Sequence, residues 1–193
     1  MRRLILLLVV SLLGGCATPI PFNTIKHNAK QSIVSNKEAA LLHVSGAVRG
    51  SDSTTMIPAG NIFIPVSSGP VPELQFHKQD QADFIKVLRS ELLRLKVFKA
   101  VSINKTKKTD IKITIIFAQT YHHINNQEYT LDVVMNLEGG KNKELKEYRI
   151  NSNEGASILE KWNTNAYEGK AKAVRKLLNK LIPDIQKYVA GNT

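Results

Sequence analysis

Cysteine is almost absent from this chain: Cys16 is the single one in 193 residues. One thiol makes no intrachain disulfide and no cysteine-based zinc or iron–sulfur site. Stability therefore has to come from a packed core, which a chain of this length is able to bury as one domain. Recognisable catalytic spacing is lacking too: there is no G-x-S-x-G elbow, no phosphate-binding loop and no H-x-H or H-x3-H pair. Acidic side chains are scarce, 16 against 27 lysines and arginines, for a formal charge of +11. Such an excess favours anionic surroundings: lipid headgroups, phosphates or an acidic protein face. The lysines are scattered rather than blocked, which is equally the pattern of a solvated surface. No internal repeat is visible, and tryptophan occurs once, at Trp162.

What is present begins at the amino terminus. Met1-Arg2-Arg3, the apolar run Leu4 to Leu12 and the small-residue junction Leu13-Gly14-Gly15-Cys16 are the three parts of a secretory signal peptide. About nine apolar residues are too few to cross a hydrocarbon core of roughly 30 Å as a helix. Leu-Gly-Gly-Cys resembles the bacterial lipobox. That resemblance implies cleavage after Gly15 and acylation of Cys16, which then leads the mature chain. Acylation also removes the oxidation liability of a lone thiol in an oxidising compartment. Several acyl chains hold far better than one, because each buried methylene is worth about 0.8 kcal/mol. Ala17 stands where the lipobox pattern has Asp for inner-membrane retention. The resemblance therefore implies the inner leaflet of the outer membrane, with the domain facing the periplasm and no access to nucleic acid. Loss of residues 1–15 takes Arg2 and Arg3 with it and lowers the balance to +9.

Residues 16–37, polar and carrying Pro19, Pro21, Asn23 and Asn28, predict a flexible tether, and residues 38–193 a single domain. Ala40 to Val48 alternate with both faces fairly apolar, as an interior strand does. Residues 49–75 are punctuated by Pro58, Pro65, Pro70 and Pro72 around the apolar island Ile62-Phe63-Ile64. Asp80 is placed as the cap of an amphipathic helix that carries Phe84, Ile85, Leu88 and Leu92 and ends near Lys96, with a strand from Val97 to Ile103 directly after it. Ile111 to Tyr121, Tyr129 to Leu137 and Glu144 to Ile150 alternate around turns at Asn125-Asn126 and Gly139-Gly140 and predict an antiparallel meander. Asn165 with Glu168 opens the last helix, whose stripe runs through Val174, Leu178, Leu181 and Ile185, with a bend or break expected near Pro183. Together these predict an α+β two-layer sandwich, a mixed sheet with a three-strand meander and two helices on one face.

Val44-Ser45-Gly46, the helix from Phe84 to Leu95, and Tyr148-Arg149 followed by Asn153-Glu154-Gly155-Ala156 resemble small Gram-negative lipoproteins of the YajG type. More distantly they resemble periplasmic domains like the amino-terminal part of TolB. The resemblance covers Glu38 to Val189 and departs at residues 49–75 and at Ser157 to Asn163. It implies an envelope accessory protein and carries no chemistry with it.

Among candidate sites, His122-His123 invites a metal, with His27, His43 and His77 as conceivable helpers. Adjacent strand residues point to opposite faces, however, so no metal and no cofactor is expected. Glu128 and Asp132 share a face at about 13 Å, too far for paired-carboxylate chemistry. Trp162 either staples the last helix to the sheet or anchors a partner. The island Ile62, Phe63 and Ile64 is either an edge strand or a docking segment. Thr130, Asp132 and Asn136 lie on the sheet face expected to meet water or a partner.

The leading expectation is a lipid-anchored accessory protein, not an enzyme, that binds an envelope protein. The alternative is a carrier holding a lipid or glycan between helices and sheet, which would need a cavity. A cell-wall enzyme ranks last. Cys16→Ser should leave the protein soluble or unprocessed on fractionation; a normal amount in the outer membrane would refute the lipobox.

Overall fold

The computed structural model describes residues 25, 27–50, 53–59, 62–68, 76–104, 109–123, 127–157, 160 and 165–191. Their order is β1 (Glu38–Val44), β2 (Ala47–Gly50), β3 (Ser53–Ala59), β4 (Ile62–Ser68), α1 (Lys78–Arg94), β5 (Ala100–Ile103), β6 (Ile111–His123), β7 (Glu128–Gly139), β8 (Asn142–Asn151) and α2 (Ala166–Gly191). The main sheet runs β5-β1-β6-β7-β8, and β2 pairs with β6. β1 is parallel to both β5 and β6, whereas β6, β7 and β8 form the antiparallel meander. Parallel pairing of β1 with β5 requires a crossover, and α1 supplies it. The α+β sandwich read from the sequence is the fold observed.

Both helices cover one face. Leu41, Ile113, Phe117, Leu131 and Met135 of the sheet are fully buried against the layer containing Phe84, Leu88, Val174, Leu177 and Leu181. Each such side chain contributes about 1.5–3 kcal/mol on burial. Phe84 meets Phe117 edge-on, with ring centroids 5.7 Å apart, a geometry that aromatic quadrupoles favour.

The single strand expected from Ala40 to Val48 is two, with a cause lying in β6. Residues 111, 113, 115 and 117 face the core, then the register shifts between Phe117 and Gln119 and Thr120 and His122 take over the buried face. This is a β-bulge at Ala118. It stands against Ser45-Gly46, where the partner line breaks between Val44↔Ile116 and Ala47↔Gln119. A Cβ on Gly46 would fall on the carbonyl oxygens of Phe117 and Ala118. Only glycine allows that approach.

The helix boundaries also differ from the sequence reading. His77, not Asp80, caps α1, and the Asp80 carboxylate accepts the His77 backbone N–H at 2.8 Å. After α1 the chain turns at Lys96, whose φ is 55°, with the Val97 N–H bonded to the Leu92 carbonyl at 3.0 Å. Val97 and Phe98 consequently fold back into the core, and β5 begins only at Ala100. α2 is capped by Asn165, whose side-chain oxygen accepts the Glu168 N–H at 2.9 Å. It runs through Pro183 without a break. Proline inside a helix costs about 3 kcal/mol, and burial of Leu181, Ile182 and Ile185 around it exceeds that.

Residues 27–37, read from the sequence as tether, form instead a strap across both helices. His27 Nε2 lies 2.7 Å from Glu91 of α1, and the His27 side chain is 4% exposed. The Asn28 N–H donates to Asn179 of α2, and Gln186 donates to the Lys30 carbonyl. The Ser35 N–H donates to the Lys96 carbonyl. Asparagine and serine mark coil by composition, but here they supply the polar partners that a segment crossing two helices needs.

Two outcomes follow. Gly46→Ala should cost on the order of 3 kcal/mol and lower Tm by roughly 10 °C in thermal melts, because backbone and not a flexible side chain blocks the new methyl. Burial raises the Glu91 carboxyl, but hydrogen bonds from Arg94 and His27 outweigh it and hold the group below its usual value. A depressed carboxylate stabilises the fold above the ordinary glutamate range, and that stability is lost as pH falls through its own lower value. Glu91→Gln should therefore be less stable than the parent at pH 6, with the gap narrowing as the pH is lowered below the ordinary glutamate range.

Candidate docking surfaces

The face of the sheet away from the helices is open among the described residues. Cross-strand partners share a face, so the register sets its rows. One row is Val44, Ile116, Val134 and Glu147, and the next is Leu42, Thr114, Asn136 and Leu145. Val44 is 51% and Leu145 59% exposed. Charged pairs flank these rows. On one side Lys112 and Lys143 approach Glu138 at 3.4 and 3.2 Å, and on the other Arg149 stands 3.7 Å from Asp132. The arrangement is an apolar stripe with a polar border.

Of the residues expected on this face, Asp132 and Asn136 are half-exposed within it. Thr130 is corrected: it belongs to the same row of the strand but is 8% exposed, flanked in register by Tyr121 and Asn151. It offers little to a partner. Glu128 accepts a hydrogen bond from Asn151 at 2.7 Å and sits 3.9 Å from His123, so Glu128 and Asp132 serve separate pairs.

His122 and His123 do point to opposite faces. His123 packs on Tyr121 with centroids 4.3 Å apart. His122 is buried, stacked on Tyr129 at 4.4 Å and 13°, with Nε2 3.2 Å from Gln127. His27 is bonded to Glu91, His43 lies 3.5 Å from Ser45 and His77 caps α1. Among the described residues no three His, Cys, Asp or Glu side chains converge as a metal site would require.

A buried polar cluster that sequence reasoning missed joins the starts of both helices to the β6–β7 end of the sheet. Lys170 of α2, 7% exposed, donates to Asp80 of α1 at 3.0 Å. Thr120 donates to the Phe76 carbonyl, and the Tyr129 N–H donates to Ser152. Burial, then the nearby charges of Lys170 and His123, lower the pKa of His122 against the Gln127 hydrogen bond. Burial with the charges of Asp80 and Tyr167 raises the Tyr129 phenol. A neutral imidazole stacked on an un-ionised phenol is suited to holding elements together, and the direct Asp80–Lys170 bond serves the same end. A lone lysine within an otherwise apolar helical stripe was the available signal.

At the opposite end, a shallow groove of about 530 Å³ is lined by Lys141, Lys143, Lys187 and Tyr188. α2 has no basic residue in its last turn, and Lys187, just before that turn, lines the groove with Lys141 and Lys143. β8 is fixed to α2 nearby: Asp184 accepts from Lys146 and from the Tyr148 hydroxyl, each at 2.7 Å.

Gly15, Cys16 and Trp162 lie outside the described residues. Ile62, Phe63 and Ile64 begin β4, which pairs with β3 in a two-stranded sheet of its own. The island is therefore not an edge strand of the main sheet.

No family model matches the chain, and no curated protein matches it by sequence. Among solved structures it is similar to a Xanthomonas campestris protein of the DUF330 family, at 10% identity and a TM-score of 0.46, over 88% of this chain and 97% of that one. A second solved protein, described only as uncharacterized, gives 10% identity and a TM-score of 0.47 over 83% of this chain and 96% of its own. None of these findings links the chain to the YajG type or to the TolB-like domains that its motifs resemble.

Proposed function

We propose that this chain is a lipid-anchored accessory protein of the periplasm, held by acyl chains on Cys16, which docks an envelope protein on the open face of its sheet and performs no catalysis. The observation that carries the reading is the apolar stripe of Leu42, Val44, Ile116, Val134 and Leu145 between bordering charges of both signs. An apolar centre with a polar rim is the anatomy of a protein interface. A surface that meets an anionic leaflet would instead carry a one-signed basic border.

Anchoring at Cys16 rests on the signal-peptide and lipobox pattern of residues 1–16. With Ile25 buried on the domain, eight positions lie between it and Cys16, at most about 30 Å of chain. Side chains of both layers fill the space between helices and sheet, and no observation favours a ligand carried there.

The test is in-cell crosslinking of the lipidated protein, purification from envelope membranes and mass spectrometry of what is attached. Leu145→Lys alters an exposed position and should move stability by no more than about 0.5 kcal/mol, whereas Asp132→Lys, at a half-exposed position opposite Arg149, should cost up to about 1 kcal/mol by setting like charges across the strands. Recovery of a stoichiometric protein partner should fall at least fivefold with either substitution. Unchanged recovery with both would remove the open face, and lipid or glycan alone would restore the carrier.

A further inference from the structure

The outer surface of α2 breaks a local rule of helix stability. At about 100° per residue, Lys172, Lys176, Lys180 and Lys187 fall within an arc of about 80°. They form a ridge roughly 22 Å long. Lys172, Lys176 and Lys180 follow one another at i, i+4, a spacing at which like charges destabilise a helix. Burial lowers the pKa of Lys176, and the charges of Lys180 and Lys172 push the same way, against those of Glu154 and Glu128. The acids beside the ridge are already engaged: Glu168 lies 3.3 Å from Lys172, and Asp184 lies 2.7 Å from Lys146. Lys180 and Lys187 are exposed and form no ion pair among the described residues. Lys187 carries the ridge on into the groove that it lines with Lys141, Lys143 and Glu144. Glu144 is 3.1 Å from Lys146, and Lys143 is 3.2 Å from Glu138. Lys30 of the strap, also exposed, lies alongside, its carbonyl bonded to Gln186.

A row of cations without matching counter-charge costs stability and returns nothing inside the fold, which is the mark of a surface kept for something outside it. Two features say what that is. None of the large exposed hydrophobic side chains, Val34, Val44 and Leu145, belongs to α2, and only Pro183 and Ala190 stand exposed among the lysines. A protein interface is built around apolar or aromatic anchors, whereas a bilayer surface asks only for clustered basic charge. Position is the second feature. The described chain enters on the helix layer, with His27 against Glu91 of α1 and Asn28 bonded to Asn179 of α2. Eight positions from Ile25, an acylated Cys16 would keep this layer within about 30 Å of its leaflet.

We propose that the lysine ridge of α2, extended by Lys30 and Lys141, rests on the headgroups of an anionic phospholipid leaflet. The contact deepens the lipid-anchored reading, on which it rests for the nearness of that leaflet. It turns the opposite, open face of the sheet away from the membrane, towards a partner.

The test uses residues 16–193 carrying Cys16→Ser, a chain with every described element and no acyl group, sedimented with vesicles of phosphatidylcholine alone or mixed with phosphatidylglycerol. It should bind the mixed vesicles and not the neutral ones, and lose that binding as salt is raised. Lys180→Gln combined with Lys187→Gln should lower the partition coefficient by about tenfold or more, with circular dichroism and Tm unchanged. Lys112→Gln combined with Arg149→Gln removes the same charge from the open face and should change it by no more than about twofold. Equal losses from the two pairs would reduce the effect to net charge and overturn the proposal. So would equal binding to neutral vesicles, or none to either, the result expected if the ridge meets an acidic protein instead. Absence of vesicle binding while the acylated parent still fractionates with the outer membrane would sink the ridge and spare the anchor.

Discussion

The approach of two backbones at Gly46 governs the layout. Where the line of β1 and β2 breaks, the bulged carbonyls of Phe117 and Ala118 occupy the space that a Cβ would need. The bulge resets the alternation of β6, so that its first half turns isoleucines and Phe117 inward and its second half turns Thr120 and His122 inward. Everything at the helix-start end of the domain is built on that second half. His122 stacks on Tyr129, Thr120 holds the chain at Phe76 just before α1, and Lys170 reaches Asp80 alongside. Without the extra residue, the same positions would face the open side, with nothing to pair them.

Much of the layout was legible because period-two and helical patterning is strong where one face is buried. The meander and both helices follow Ile111 to Leu137 and Phe84 to Leu92 almost residue by residue. The bulge was not legible, since Ala118 is small and neutral and nothing in composition announces an extra residue. Val97 and Phe98 alternate as a strand would, but the left-handed turn at Lys96 takes them out of the sheet. A non-glycine residue in that conformation gives no warning in sequence. Pro183 was read by its local cost alone, whereas buried neighbours on both sides decide the matter.

The candidate site divides in the same way. Alternation placed Asp132 and Asn136 on the open face and separated His122 from His123. Thr130 shares their parity, yet Tyr121 and Asn151 beside it in the register reduce its exposure, and register is a tertiary fact. The island Ile62-Phe63-Ile64 was visible as an apolar interruption, but its pairing partner β3 carries Pro58 and is followed by Gly60, a punctuation that reads as loop. Only the register makes the two one object.

The strap has a consequence for the order in which the domain is completed. The Asn28 N–H binds a side chain 151 positions further on, and the Lys30 carbonyl is held by Gln186, 156 positions on. A chain that is delivered amino terminus first has to release almost all of itself before its opening segment finds those partners, since α2 is the last element of the fold. The strap is thus a latch that closes on a finished domain. In a tethered protein, completing the fold and being drawn towards the anchor would be one event.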